Sequence, residues 1–392
     1  MGDDLFIFAG EKSGDEHGAK ILRALKHYYP SISVCGVAGP LMRQEGAKTV
    51  MPMENFQVMG FTDVFKALPR LVIYFKKILA YILKNQPKAV LFIDYPGFNL
   101  RMAKALRKKG FKNKLVHYIC PTVWAHGKGR IKTLSNTLDL LLSIFPFEKK
   151  YFKNTSLKPV YVGHPLLEKA GAHPFQKDWK EHLPLKNKEE LVGIFPGSRT
   201  QEITQNFPKI LEACVLFKKK HPSSSFIVSY AQEKLVPLIE GMIKETSLIL
   251  NDDICLVKGK ENFHIMQHIK SSIATSGTIT FELGTMSVPT VSVYHLTPLN
   301  AFIAQHLIKL SLPYYCIVNI ICQKHIFPEL YHLSFTPDNV AEALANITEE
   351  GYWRQNALEG CQEMLDKMSH TSLPSHQIAK EVGELIYDKQ PV

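Results

Sequence analysis

Residues 192–199, VGIFPGSR, constrain the fold most. An apolar run, Val192, Gly193, Ile194 and Phe195, stops abruptly at Pro196-Gly197-Ser198-Arg199, and an amphipathic helix is expected from about 202 to 220. A buried strand that ends in a small-residue turn and continues as a helix is the building unit of a parallel α/β sheet. The turn leaves backbone N–H groups unpaired at the helix start, where an anion is favoured. Arg199 adds a cation whose fork fits phosphate. On these eight residues alone, an ordinary βα turn without a ligand reads equally well.

A second stretch repeats the pattern. The strand at 272–274 meets Ser276-Gly277-Thr278, and the helix that follows carries Glu282 four residues after Thr278. That spacing sets Glu282 one turn along the helix from the expected anion. A ribose diol on the carboxylate, with its phosphates at the two turns, fits the arrangement. The pair points to a nucleoside diphosphate and names no reaction.

Length and charge narrow the class. A chain of 392 residues predicts two or three domains, and 45% apolar with 21% charged residues predicts packed cores. The net charge of +11 suits nucleic acid, an anionic membrane or anionic substrates. Zinc-finger spacing and RNP-like aromatic motifs are absent, so no nucleic-acid partner is expected. The seven cysteines are scattered without a CxxC pair, which predicts buried free thiols in a reducing compartment. Met1-Gly2-Asp3-Asp4 leads directly into LFIFAG, so no signal peptide is expected. No apolar run approaches the roughly 20 residues that span a bilayer, so membrane contact should be peripheral.

The chain begins with an expected strand at 5–9, a loop Gly10-Glu11-Lys12-Ser13-Gly14-Asp15 and a helix at 16–26. The glycines do not match GxGxxG, so no dinucleotide site is expected; Ser13 and Asp15 can cap the helix. Residues 61–84 mix Leu71, Phe75, Ile78, Leu79 and Ile82 with Lys66, Arg70, Lys76, Lys77 and Lys84. That face reads as core packing or as an edge inserted into a bilayer interface, with basic residues rimming apolar ones. The strand at 89–93 ends at Asp94, a carboxylate in the crevice zone of an α/β sheet and a candidate general base; a helix cap at Asp94 and Asn99 is the other reading. Further strands at 116–119, 138–144 and 160–162 are followed or closed by Trp124 and Arg130, by Pro146, and by His164. Polar, proline-punctuated residues 168–190 predict a linker. A second α/β run holds strands near 192–195, 226–229, 254–257, 272–274 and 289–293, an apolar helix at 300–310, and a helical tail.

In this order and spacing, FAGEKSGD (8–15), GVAGPLM (36–42), VMGFTDVFKALPRL (58–71), FIDYPGFN (92–99), CPTVWAHGKGR (120–130), FPFEKKYF (145–152), YVGHPL (161–166), PGSRTQEI (196–203) and TSGTITFELG (275–284) resemble the lipid-A-disaccharide synthase family. These are inverting glycosyltransferases (family 19) of the α/β GT-B fold, with two Rossmann-like domains facing a cleft. The resemblance implies UDP-2,3-diacylglucosamine as donor and 2,3-diacylglucosamine 1-phosphate (lipid X) as acceptor, giving the β-1′,6 disaccharide 1-phosphate of lipid A and UDP. It implies no metal or other cofactor, a peripheral position on the cytoplasmic face of the inner membrane, and a homodimer whose C-terminal segments exchange. An acceptor and membrane-facing domain is expected over 1–167, the linker over 168–190, a UDP-donor domain over 191–345 and C-terminal helices over 346–392. Asp94, Glu11, Ser13 and Asp15 become the catalytic candidates. Gly197, Ser198, Arg199, Ser276, Gly277, Thr278, Glu282 and Asn319 become the donor-binding ones. Asn99, Trp124, Arg130 and His164 are further cleft candidates, and Leu71, Phe75, Ile78, Leu79 and Ile82 the membrane patch.

The sequence departs from the family at three places. Gly97 stands where the pattern IDxPDFN has Asp, CIVNIICQK replaces LPNxxAG around Asn319, and His126 stands where a tryptophan is usual. The competing readings are another UDP-sugar GT-B enzyme, such as an N-acetylglucosaminyltransferase or a UDP-GlcNAc 2-epimerase, and a non-catalytic membrane-surface protein of the same fold.

Overall fold

The computed structural model describes residues 3–56, 61–124, 128–171, 174–295 and 313–387. The chain forms two compact units, Met1–Pro165 with His370–Val392, and Leu166–Ser369. In the first, strands β1 (Leu5–Ala9), β2 (Val34–Ala38), β3 (Lys48–Pro52), β4 (Ala89–Ile93), β5 (Lys114–Tyr118), β6 (Leu140–Ser143) and β7 (Val160–Tyr161) form a sheet in the order β3-β2-β1-β4-β5-β6-β7. Its strand pairs are parallel. The connecting helices are α1 (Lys12–Tyr28), α2 (Pro40–Gln44), α3 (Phe61–Asn85), α4 (Pro96–Lys108) and α5 (Lys128–Thr137); α6 (Pro165–Gly171) begins the second unit.

The central strands LFIFA and AVLFI are apolar at every position because helices cover both faces. Leu5, Ile7, Leu91 and Ile93 pack under α1 and the C-terminal helix Pro374–Tyr387. Phe6, Phe8, Val90 and Phe92 pack under α3 and α4.

The second unit repeats the plan with β8 (Glu190–Phe195), β9 (Ser224–Tyr230), β10 (Ile254–Lys258), β11 (Ser271–Thr275), β12 (Thr290–Tyr294) and β13 (Glu329–Tyr331), in the order β10-β9-β8-β11-β12-β13. Helices α7 (Thr200–Lys220), α8 (Val236–Lys244), α9 (Asn262–His268) and α10 (Thr278–Thr285) connect them. In α7, Ile203, Phe207, Ile210, Cys214 and Phe217 are buried, the spacing of a helix with one face on a core. Each sheet reverses its strand order once, between β1 and β4 and between β8 and β11. The helices after those strands leave toward opposite faces, so their C-terminal ends open a crevice there.

Some segments differ from the sequence expectation. The stretch 168–190 buries Trp179, Leu183 and Leu185 in the second unit, with Trp179 Nε1 donating to Glu261 at 3.0 Å. The expected segment 346–392 divides: Tyr352–Met368 lies in the second unit, and Pro374–Tyr387 returns to the first against α1. Strands β3 and β13 were not expected; both are edge strands, and β13 has only three residues. The expected helix at 300–310 and His126 lie outside the described residues. All seven cysteines are buried and free.

Candidate functional site

The first candidate is a pocket of about 600 Å³ in the second unit, at the reversal between β8 and β11. It gathers Gly197, Ser198, Arg199, Ser276, Gly277, Thr278 and Glu282, seven of the eight donor candidates. Gly197 has φ +115°, and a Cβ there would lie 2.7 Å from Glu202 Cβ, so glycine is needed for conformation and for space. Ser198 and Arg199 turn their N–H groups onto Glu202 at 2.9 and 3.3 Å, and Arg199 Nη1 donates to Glu202 at 3.0 Å. On the other wall, half-buried Tyr331 donates its hydroxyl to Ser276 Oγ at 3.3 Å and pairs with Ser292 at 2.8 Å, which fixes the turn before α10.

The eighth donor candidate is not brought there. Asn319 is fully buried; it donates to Phe327 O and Glu329 and accepts from the N–H of Ile326 and Phe327. Its amide is spent on holding the chain before β13. The pocket also contains residues that motif reading missed: Glu202, Ser229, Lys260, Asn262 and Thr275. Ser229 and Asn262 are hydrogen-bonded at 2.6 Å. Lys260 has no ion-pair partner among the described residues and is the pocket's available cation.

The second candidate lies in the first unit, where β1 and β4 end. Asp94 and Tyr95 both take left-handed backbone, φ 44° and 48°, uncommon for residues other than glycine. Burial, and then the charge of Glu11, push the Asp94 carboxyl up to about 6, while a backbone hydrogen bond at Tyr95 pulls the other way. Left-handed backbone and an acid moved toward neutrality thus occur together at the end of β4. Glu11 accepts from Ser13 Oγ at 2.8 Å. Asp15 does different work: it is buried, and its two oxygens accept from Leu41 and Met42 N–H at 2.9 and 3.0 Å, capping α2 rather than its own helix. Buried Asn99 donates to Asp94 O at 2.6 Å, so it ties the start of α4 to the end of β4.

Of the remaining candidates, Trp124 and His164 are linked through the neighbouring rings of Phe145 and Phe147. Burial, then His17, push His164 down to about 3, so it is neutral at pH 7. Its ring lies 5.1 Å from Phe145. Arg130 is partly exposed on α5. Trp124 lies beside Glu148, a residue the sequence reading passed over within FPFEKKYF. Glu148 is 1% exposed, accepts from Phe145 N–H at 3.3 Å, and is pushed by burial up to about 8.

The apolar helix α3 divides along its length. Ile78 and Ile82 are 1% and 0% exposed in the core under the sheet, so they do not belong to a membrane patch. Leu68, Val72 and Ile73 are about half exposed and form the outward apolar stripe instead. Leu68 and Val72 also face a groove of about 700 Å³, lined further by Leu71, Phe75 and Leu79, by Tyr95, Gly97 and Phe98, and by Lys76 and Arg101. No described helix is long and apolar enough to cross a membrane. No group of three or more His, Cys, Asp or Glu that could hold a metal occurs among the described residues.

Two parallel sheets, each with its crevice at the strand-order reversal, define the GT-B class of α/β proteins. The fold matches the calicheamicin glycosyltransferase CalG4 (TM-score 0.53, 13% identity, 98% of this chain and 97% of that one). It also matches the UDP-GlcNAc 2-epimerase of Neisseria meningitidis bound to UDP-GlcNAc (TM-score 0.57, 12% identity, 98% and 99%). The family described as lipid-A-disaccharide synthetase matches residues 5–382, and the chain belongs to that family. Relatives called lipid-A-disaccharide synthase include that of Chlamydia pneumoniae, 36% identical over 97% of this chain and 62% of its own length. Another, of Anaeromyxobacter sp. (strain K), is 30% identical over 97% of each. The chain spans about 60% of the length of the chlamydial relatives it matches.

Proposed function

We propose that the chain is an inverting glycosyltransferase that joins UDP-2,3-diacylglucosamine to 2,3-diacylglucosamine 1-phosphate, giving the β-1′,6 disaccharide 1-phosphate of lipid A and UDP. The observation that carries this, beside family membership, is Asp94: a carboxyl pushed up to about 6 on strained backbone beside an apolar groove. In the reaction, the acceptor hydroxyl oxygen attacks the anomeric carbon and its proton passes to the Asp94 carboxylate. The bond from that carbon to the β-phosphate oxygen breaks, and its electron pair leaves with UDP. The N–H groups at 198 and 199, Arg199, Lys260 and the start of α10 would stabilise that charge, and Glu282 would hold the ribose. Fixing two acylated sugars in one orientation supplies the proximity contribution.

The groove at Phe75, Leu79 and Gly97 suits an acyl chain, and Lys76 and Arg101 suit the acceptor phosphate. The exposed stripe at Leu68, Val72 and Ile73 suits the interfacial layer of an anionic membrane, here the cytoplasmic face of the inner membrane. In this reading the first unit is the acceptor and membrane domain, the second the donor domain, and the protein a homodimer.

The test is a mixed-micelle assay with both lipid substrates, read by mass spectrometry, on wild type and Asp94→Asn. Disaccharide from wild type alone is the expected result. Disaccharide from both removes Asp94 as base. None from folded wild type, over several acyl lengths, overturns the function.

A further inference from the structure

The turn before α7 already holds an anion, and it belongs to the protein. Glu202 takes the Ser198 and Arg199 N–H groups on one oxygen and Arg199 Nη1 on the other. Those are the three donors a phosphate at this turn would use. Glu202 is 18% exposed and Arg199 80%, so the carboxylate lies inside the wall and the guanidinium outside it. Four charged side chains line the pocket, Arg199, Lys260, Glu202 and Glu282, and their formal charges cancel. A diphosphate therefore enters a site without net positive charge whose best donors are occupied.

We propose that Glu202 is an internal competitor for the diphosphate. It holds the Ser198 and Arg199 donors when the site is empty, yields them when a nucleoside diphosphate enters, and retakes them as UDP leaves. This rests on reading the pocket as the donor site. The exchange makes and breaks hydrogen bonds and one ion pair, with no covalent step. A diphosphate can win because it brings more charge and more acceptor oxygens, and because α10 and Lys260 hold its other parts. Inorganic phosphate, without those further contacts, displaces the carboxylate poorly. The gain for turnover is release: a carboxylate already within 3.3 Å of the donors recaptures them as the product loosens.

Glu three residues beyond a helix cap also stabilises a helix start, with no ligand involved. The two roles predict opposite signs. Losing a cap loosens the turn and weakens UDP binding, whereas removing a competitor tightens it.

Calorimetric titration with UDP, and separately with inorganic phosphate, compares wild type with Glu202→Gln and Glu202→Ala, alongside their thermal midpoints. Gln keeps the length and an acceptor oxygen without the charge, and Ala is the second variant in case Gln does not fold. The expected result is UDP binding tighter by about tenfold in either variant, on the scale of one charge-assisted hydrogen bond. Measurable phosphate binding should appear, the donor KM should fall and product inhibition by UDP should strengthen. Equal or weaker UDP binding by the folded variants overturns the proposal. Failure of wild type and both variants to bind UDP at all removes the donor-site reading, and the proposal with it.

Discussion

Replacing Asp94 by Asn removes a charge while keeping the shape, and Asn tolerates the left-handed backbone found there. The carboxyl rises from 3.8 to about 6, chiefly by burial and secondly through Glu11. Above pH 6 the folded and unfolded chains both carry the charge, and the folded state bears the full cost of burying it. Between pH 6 and 3.8 the folded state takes up its proton first, so the cost shrinks as pH falls and vanishes below 3.8. Two pH units at about 1.4 kcal/mol each give roughly 3 kcal/mol. Residual solvent contact screens part of that, leaving about 2 kcal/mol. For a unit of this size the variant should melt about 4–8 °C above wild type at pH 7.5. The measurement is thermal unfolding by circular dichroism at pH 7.5 and 4.5, beside turnover in micelles. Most of the gain should be gone at pH 4.5, while turnover is lost at every pH. A variant that melts at or below wild type at pH 7.5, or gains equally at both pH values, refutes the reasoning.

Two further outcomes bear on the acceptor side. Val72→Ser with Ile73→Ser should lower co-sedimentation with anionic vesicles and leave the melting point within about 1 °C, since both side chains are about half exposed. Ile78→Ser should instead cost about 2–5 kcal/mol as a buried aliphatic; a fully stable Ile78→Ser that no longer binds vesicles would return Ile78 to the membrane face. Gly97→Asp has room, because a Cβ there meets nothing within 4 Å, so the variant should fold normally. Turnover should change less than about threefold if Asp94 is sufficient as base, and a tenfold rise would move that role to position 97.

The legible parts of this chain are those written in contiguous residues. PGSR and SGT announce strand ends and helix starts, and seven donor candidates meet in one pocket because their strands are neighbours at the reversal. Asp15 was legible as a cap, but not as the cap of α2, because its partners Leu41 and Met42 come from another helix. Asn319 looked like a ligand because its position matched a family motif; its bonds to the 326–329 segment depend on tertiary packing. α3 has a wide apolar face broken by basic residues, and only the sheet beneath it separates Ile78 and Ile82 from Val72 and Ile73. Lys260 is a lone lysine in a charged loop, a pattern that occurs on any solvated surface.

Charge makes the same point from the other direction. A net charge of +11 suggests basic pockets for phosphate, yet the two cations and two carboxylates lining the donor pocket sum to zero. On the proposed function, phosphate recognition there would rest on direction: N–H groups at two helix starts and the Arg199 fork. Directional donors at close range are weakly screened by salt, whereas attraction between a dispersed basic surface and an anionic membrane falls off within a Debye length of about 8 Å at physiological ionic strength. On the proposed function, the excess positive charge would serve the encounter with a lipid surface, and the short motifs the nucleotide. That is why the motifs could be read residue by residue, while the basic excess, spread over the whole chain, shows only in composition.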